Sequence, residues 1–366
     1  MTTFDKHILS RFLTASSLLV VLLVVFFVVL DYVEYIDDFM DRGATIPQIF
    51  GTYYLHYIPE IVKLTSPLAV FLAAIYTTAR LSQTMQLTAL SMAGVSLYRI
   101  LLPFGLAGVA ITIFMLWFNG MIVPRANSTV LSFQYEYYRD VPAEAETSEI
   151  YRQISPSSVL TVGFFDPGLE TGFRVSLVEF AARQEDQHKH LVRRIDAADM
   201  TWSDSSRQWR LRDVVDRIFL ADGVQQTDSI AVLDTSLAVL PRDIARSERD
   251  AERMTIPETR DYIAALERAG VSRVGRPLVE FHSKLAYPLA NLILILIGVP
   301  LAARRRRGGH AIHFAIGLFL AFVYLAFQQI AEPFGYAEVV PPALAAWAPH
   351  VLFGALAIVI IRHAPN

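Results

Sequence analysis

The sequence predicts a polytopic α-helical membrane protein: two groups of three hydrophobic helices with one soluble, strand-rich domain inserted between them. Six apolar segments, a long polar stretch with a different periodicity, and basic residues that gather on one side of the spans predict it. Of the 366 residues 54% are hydrophobic and 18% charged, with a mean hydropathy of +0.39. Soluble domains carry about 25% charged residues. The absence of cysteine excludes disulfides, thiolate metal sites and cysteine nucleophiles. The net charge of −3 says little about partners, because the charges are unevenly placed; no nucleic-acid partner is expected.

A helix needs about 20 apolar residues to cross a bilayer, because backbone polar groups cannot stay unpaired in lipid. Phe12–Leu30, Leu101–Val123, Leu285–Ala302, Phe314–Ile330 and Ala343–Ile361 meet that requirement. Tyr57–Ala79 is weaker, with Glu60, Lys63, Pro59 and Pro67, but a consistent topology requires it. Lys6 and Arg11 precede the first run and no small-residue cleavage site follows promptly, as in a retained signal anchor. Lys and Arg near span ends stay in the cytoplasm. With six alternating helices, Lys6 and Arg11, Arg80 and Arg99, Arg304–Arg307 and Arg362 share one side, while Glu34, Asp37, Asp38, Asp41, Glu332 and Glu338 lie opposite. Both termini are therefore expected inside, with the polar segment after Val123 outside.

Within that polar segment the period becomes two. Met200 and Trp202, then Trp209 and Leu211, alternate across Ser203–Ser206 as a hairpin. Phe173, Val175 and Leu177 alternate after the turn signals Asp166-Pro167-Gly168 and Thr171-Gly172, and Ala221-Asp222-Gly223 marks another turn. Strands at this spacing suggest a sandwich, a jelly roll or an open barrel-like sheet. One helix follows over 255–269: Thr255 caps it, Pro257 and Glu258 suit its first turn and Gly270 stops it. The expected division is residues 1–125, 126–275 and 276–366.

Catalytic motifs are missing. No Gly-x-x-x-x-Gly-Lys-Ser/Thr, His-Glu-x-x-His or Gly-x-Ser-x-Gly occurs, so no enzyme activity is expected of the chain. His310 and His313 lie one turn apart but lack a carboxylate and sit beside four arginines; no metal is expected there. His188-Lys189-His190 reads as a solvated loop. The stretch after the second span, about 80–93, is more informative. Leu81, Met85, Ala89 and Met92 share a helical stripe, with Leu87 and Leu90 beside it. Gly94 stops the helix and Ser96 caps the next one. Two readings stand: a helix lying on the lipid surface, or a coupling helix seated in a groove of a cytoplasmic partner. Glu60 and Lys63 share a face of the second helix, either facing a cavity or neutralising each other near the interface. Asn119 and Asn291 are candidates for bonds between helices.

In this context the chain resembles the LptF/LptG permease family, the transmembrane subunits of the lipopolysaccharide exporter. The resemblance is carried by Leu81–Ser96, Asn119–Asn127, Met254–Gly270, His282–Pro300 (with Lys284-Leu285-Ala286-Tyr287-Pro288 and Gly298-Val299-Pro300) and Pro341–Pro349. Asp31–Phe39 is more similar to the LptG branch than to LptF. The resemblance implies an inner-membrane protein whose inserted periplasmic domain is a β-jellyroll that passes lipopolysaccharide to an LptA-like bridge. The implied partners are an LptB-type ATPase dimer, an LptF-type (or LptG-type) subunit and LptC, with ATP and Mg bound by the ATPase and no cofactor in this chain. It implies an ATPase-coupling helix at Arg80, Leu81, Met85, Gln86, Leu87, Leu90 and Gly94. The rim of the lipid cavity then falls at Glu34, Asp37, Asp38, Arg42, Glu60 and Lys63. Two departures are visible. Family members commonly have an acidic residue in a Ser-Glu-Leu context where this chain has Met85-Gln86-Leu87. Some also have lysines beyond the first helix, where this chain has Met40, Asp41 and Arg42. A mechanotransmitting subunit of the MacB or FtsX kind is the alternative; such chains place one helix before the outer domain and three after it.

Overall fold

The structure is a computed structural model. It describes residues 3–137, 148–166, 169–183, 186–204, 206–220, 225–237, 239, 241–244, 248–268, 274–303 and 310–363. The arginines 304–307, the turn residues 221–223, and Gly270 lie outside the described residues, as do the side chains of His188, His310 and His313. The chain forms two compact units, one of residues 1–138, 251–259 and 275–366, the other of residues 139–250 and 260–274.

The first unit is helical. Its helices are α1 (Thr3–Asp41), α2 (Ile46–Gln83), α3 (Gln86–Met92), α4 (Leu97–Trp117) and α5 (Val123–Tyr137), then α8 (Gly275–Ala286), α9 (Leu289–Ala303), α10 (His310–Tyr336) and α11 (Pro342–Arg362). Among the described residues five helical stretches are long and apolar enough to span a membrane, and six if the bent pair α8 and α9 is one span. The 47° bend falls at Tyr287-Pro288. Proline cannot donate to the helical ladder and crowds the preceding turn. Asn291 was expected to bond between helices; instead its Nδ2 donates to the Pro288 carbonyl (3.1 Å) within the bend. Asn119 does bond between helices, donating to the Lys284 carbonyl at 3.2 Å.

The doubtful second segment is a continuous helix through Pro59 and Pro67. Pro67 leaves the Lys63 carbonyl without its ladder donor, and the Ser66 hydroxyl donates to it at 3.3 Å. A neighbouring hydroxyl thus supplies what the proline removes, which makes proline tolerable in lipid. Two π-helical segments interrupt the α-geometry, Ile49–Tyr54 inside α2 and Phe118–Ile122 between α4 and α5. α1 runs unbroken to Asp41, about 60 Å at ~1.5 Å per residue. The acidic stretch expected in a loop is thus the last turns of a helix.

α9 is apolar on every face and central, as an all-round hydrophobic helix must be. Ile295 and Val299 pack with Ile8 and Phe12 of α1, Val70 of α2 and Phe104 of α4. Leu294 and Ile297 pack with Phe71 of α2, Tyr324 of α10 and Phe353 of α11. One ion pair fastens α1 to α4: Arg99 donates to both carboxylate oxygens of Asp5 at 2.7 and 2.8 Å.

Among the described residues the second unit contains six strands, β1 (Ser148–Ser155), β2 (Ser158–Asp166), β3 (Thr171–Arg183), β4 (Asp186–Ser203), β5 (Gln208–Phe219) and β6 (Gln225–Thr235), and the short helix α6 (Pro241–Ile244). All neighbours are antiparallel and the order is β1-β2-β3-β4-β5-β6. The expected hairpin is present, with Trp202 opposite Trp209 and Met200 opposite Leu211. The described strands pair in sequence order as an up-and-down meander, the order of an open barrel-like sheet, one of the three forms the alternation suggests. Alternating strands specify a half-buried sheet but not its crossovers, so periodicity alone could not choose among the three. One face buries Leu160, Val162, Met200, Trp209 and Leu211. Trp209 donates through Nε1 to the Val239 carbonyl at 2.8 Å. Outside that core, Arg193–Asp216, Arg212–Asp199 and Arg210–Asp234 tie adjacent strands. The Arg210 hydrogen bond holds the Asp234 carboxyl below the usual carboxylate range. This pair therefore contributes at neutral pH and is lost as acidification protonates the carboxylate.

The Asp5–Arg99 pair generates a test. Asp5 is only 3% exposed, so Arg99→Ala takes a two-pronged cationic contact away from a buried carboxylate. A loss of stability is expected, smaller than for a fully buried pair because the Arg99 side chain is exposed on its outer side. The thermal midpoint of the purified chain should fall by several degrees, and Asp5→Asn in the same chain should restore most of it. An unchanged midpoint in Arg99→Ala would remove the pair from the list of fold determinants.

Candidate functional site

Three places bear on function, all in the helical unit: a polar cavity, a pinned segment beside it and the short helix α3. The cavity encloses about 250 Å³ and is lined from α2, α5, α8 and α10. Three-residue spacing puts Glu60 and Lys63 on one face of α2, where Lys63 Nζ donates to Glu60 Oε1 at 2.8 Å. Asn127 of α5 donates to the other Glu60 oxygen at 2.9 Å. Across the cavity, the Tyr336 hydroxyl donates to Glu280 Oε1 at 2.8 Å and approaches Glu332 Oε2 at 3.4 Å. Ser283 donates to Glu332 Oε1 at 3.0 Å. Arg276 pairs with Glu252 at 2.6 Å, and its guanidinium lies 5.1 Å from the centre of the Tyr336 ring.

Lys284 organises the pinned segment. It is 6% exposed, and its ammonium donates to the carbonyls of Ala251 and Met254 and to Thr259 Oγ1. Three donors thus meet three acceptors, which balances the cost of burying the charge. The segment prepares those acceptors by its own capping. Thr255 N–H and Oγ1 both donate to Glu258 Oε2 at 2.8 Å, opening α7 (Ile256–Arg268). This is the cap that the sequence predicts. Opposite, Asn119 and Gly120 lie in the π segment after α4. Asn119 holds the Lys284 carbonyl, and a Cβ on Gly120 would come within 2.4 Å of Ile256 Cδ1. A side chain at position 120 would force the end of Ile256 to shift.

The helix α3 differs from the expected single stretch over 80–93. α2 continues to Gln83, Met85 takes a left-handed backbone (φ +61°), and α3 begins at Gln86. Gly94 (φ +79°) ends the turn after α3, as predicted. Leu81 and Leu87 are buried among Ile8, Leu101 and Phe104, and Leu90 packs against the same cluster. These leucines anchor α3 instead of facing outward, because the Met85 turn re-aims the stripe. Arg80 is exposed and donates to the Tyr76 hydroxyl, Gln86 is half-buried, and Met85 and Met92 project, Met92 at 86% exposure.

The six residues expected at a rim are not brought together. Glu60 and Lys63 line the cavity; Glu34, Asp37 and Asp38 lie exposed on the last turns of α1, with Arg42 just beyond. What sequence reasoning missed is Lys284, Glu280, Gln328 and Tyr336. The available signal was an ionisable residue every four positions, Glu280 then Lys284, along one face of a span. Among the described residues no group of three or more His, Asp or Glu is placed to hold a metal ion.

Replacing Lys284 by Met should release the segment. Three buried acceptors would lose charge-assisted hydrogen bonds worth about 1.5–3 kcal/mol each at most. Amide hydrogen exchange over 251–259 in the full chain should accelerate at least about tenfold, which corresponds to ~1.4 kcal/mol. Unchanged protection in the variant would show that the lysine does not hold the segment.

Comparison with known proteins adds one finding. The family model described as "Lipopolysaccharide export system permease LptF/LptG" matches residues 6–363. No curated protein is matched. With the match spanning nearly the whole sequence, the chain belongs to the LptF/LptG family of lipopolysaccharide export permeases.

Proposed function

We propose that the chain is a catalytically silent permease subunit of an ATP-driven exporter that extracts lipopolysaccharide from the inner membrane and passes it to a periplasmic bridge. The family match over residues 6–363 carries this reading. Spans stand on both sides of the sheet domain, α1, α2 and α4 before it and α8/α9, α10 and α11 after it. That order disfavours the MacB or FtsX arrangement. In the proposed topology both termini and α3 are cytoplasmic, and the sheet domain is periplasmic. ATP and Mg belong to an LptB-type ATPase dimer; an LptF-type or LptG-type subunit and LptC complete the membrane complex. The Asp31–Phe39 stretch favours the LptG branch for this chain.

The observed packing of α3 supports a division of labour. Buried Leu81 and Leu87 fix the helix to the bundle, while exposed Met85 and Met92 offer deformable apolar knobs for a groove on the ATPase. Gln86 provides an amide where relatives have a carboxylate, so this contact relies on apolar burial more than on charge. Force applied to α3 would then pass through the leucines into α1, α4 and α9.

Two measurements test this. A P-loop ATPase should co-purify with the chain at native expression, and recovery without one would count strongly against the exporter reading. Met85→Asp combined with Met92→Asp should cut ATPase association at least about tenfold, as loss of a small hot spot does, with the thermal midpoint nearly unchanged. Leu87→Asp should instead lower the midpoint itself. Full association and transport in the double methionine variant would sink the coupling assignment.

A further inference from the structure

The polar cavity has more acceptors than its own donors satisfy. Of its nearby cations, Lys63 is held by Glu60, Arg276 by Glu252, and Lys284 by three oxygens of the 251–259 segment. Glu280 receives the hydroxyl of Tyr336, and Glu332 receives those of Ser283 and Tyr336 together with the Gln328 amide group. Gln328 stands one helical turn before Glu332 on α10 and lines the same cavity. It is 6% exposed, and its carboxamide oxygen has no hydrogen-bond partner. An unsatisfied buried acceptor costs about 1–3 kcal/mol, and native proteins keep one where something else supplies the donor.

The chemistry of the missing donor follows from this inventory. It carries positive charge, since two carboxylates lack a cationic contact. It brings several N–H groups, since the open positions are all oxygens. A chelated metal does not fit, because among the described residues no three metal-ligating side chains converge and Lys63 adjoins the space. A primary ammonium has three N–H donors and the required charge. Leu64 and Val123 give an apolar wall for a short carbon chain. The volume of 250 Å³ is that of roughly eight waters at about 30 Å³ each, ample for an aminoethyl group. We propose that this cavity binds a protonated primary amine through Glu280, Glu332 and the carboxamide oxygen of Gln328. The amine is either that of a lipid headgroup or a free small amine. The assignment does not depend on the export reading.

The test uses the full chain in phosphatidylglycerol nanodiscs, titrated calorimetrically with ethanolamine hydrochloride. Tetramethylammonium chloride, a cation without N–H donors, is the comparison. Saturable one-to-one binding of ethanolamine is expected, at least about tenfold tighter than tetramethylammonium. Gln328→Leu and Glu332→Gln should each weaken it by a similar factor. A second arm measures lipid retention by native mass spectrometry from discs containing phosphatidylethanolamine or phosphatidylcholine. Selective retention of phosphatidylethanolamine, lost in Gln328→Leu, supports the proposal with a lipid as the source of the amine. Should Glu332→Gln fail to fold, Gln328→Leu carries the test, because it removes an oxygen that has no partner in the folded chain. Equal affinity for the two cations overturns the proposal. So does unchanged behaviour of Gln328→Leu in both arms, or the absence of both ethanolamine binding and phosphatidylethanolamine retention.

Discussion

The helical unit turns on one buried ammonium. Lys284 sits where α8 approaches its bend, and its three N–H groups collect oxygens from Ala251, Met254 and Thr259. A neutral side chain of equal length could pack there, but it would leave those oxygens without donors in a dry place, where each unmade bond costs more than a made one gains. The lysine also has its own carbonyl held by Asn119, so its backbone and its side chain are fixed by different elements. Gly120 next to Asn119 admits Ile256. Remove the ammonium and the close fit of Ile256 on Gly120 has no polar counterpart; add a side chain at Gly120 and the end of Ile256 has to shift.

The same logic accounts for the irregular backbone around the cavity. A span made only of regular α-helix presents no free polar groups and gives a polar site nothing to use. Here Pro67, Pro288 and the two π segments each release or displace backbone groups. Local side chains recover some of them: Ser66 covers the Lys63 carbonyl and Asn291 the Pro288 carbonyl. Such departures cluster beside functional sites more often than elsewhere. The cavity lies among them, and its charges are paired on the α2 side, through Glu60 and Lys63, and less completely on the side of α8 and α10.

Much of the architecture was legible in the sequence because it depends on period and composition. Apolar runs gave the spans, alternation gave the hairpin opposing Trp202 and Trp209, and Thr255 with Glu258 gave a helix start that the structure reproduces through two hydrogen bonds. The expectations that missed share a different cause. The partner of Asn291 and the outward stripe of α3 both depend on direction, which a pattern of residue types does not encode. A single left-handed residue, Met85, rotates everything after it, and nothing in Thr84-Met85-Gln86 announces that turn. The cavity was half visible. Glu60 and Lys63 stand out as a charged pair in an apolar run, whereas Glu280, Gln328, Glu332 and Tyr336 come together only because α8 and α10 meet.

That rotation clarifies what α3 contributes. A helix of seven residues is too short to hold its shape in water unaided, so tertiary packing has to supply its stability. Leu87, with Leu81 just before the turn, provides that packing against α1 and α4. Burying both leucines leaves the methionines as the apolar groups that project, and an unbranched thioether side chain adapts to a facing groove at little cost in fit. Had the whole stripe faced outward, α3 would be sticky but loosely attached, and a push on it would bend the helix before moving the bundle. With the leucines inside, α3 shares one core with α1, α4 and α9.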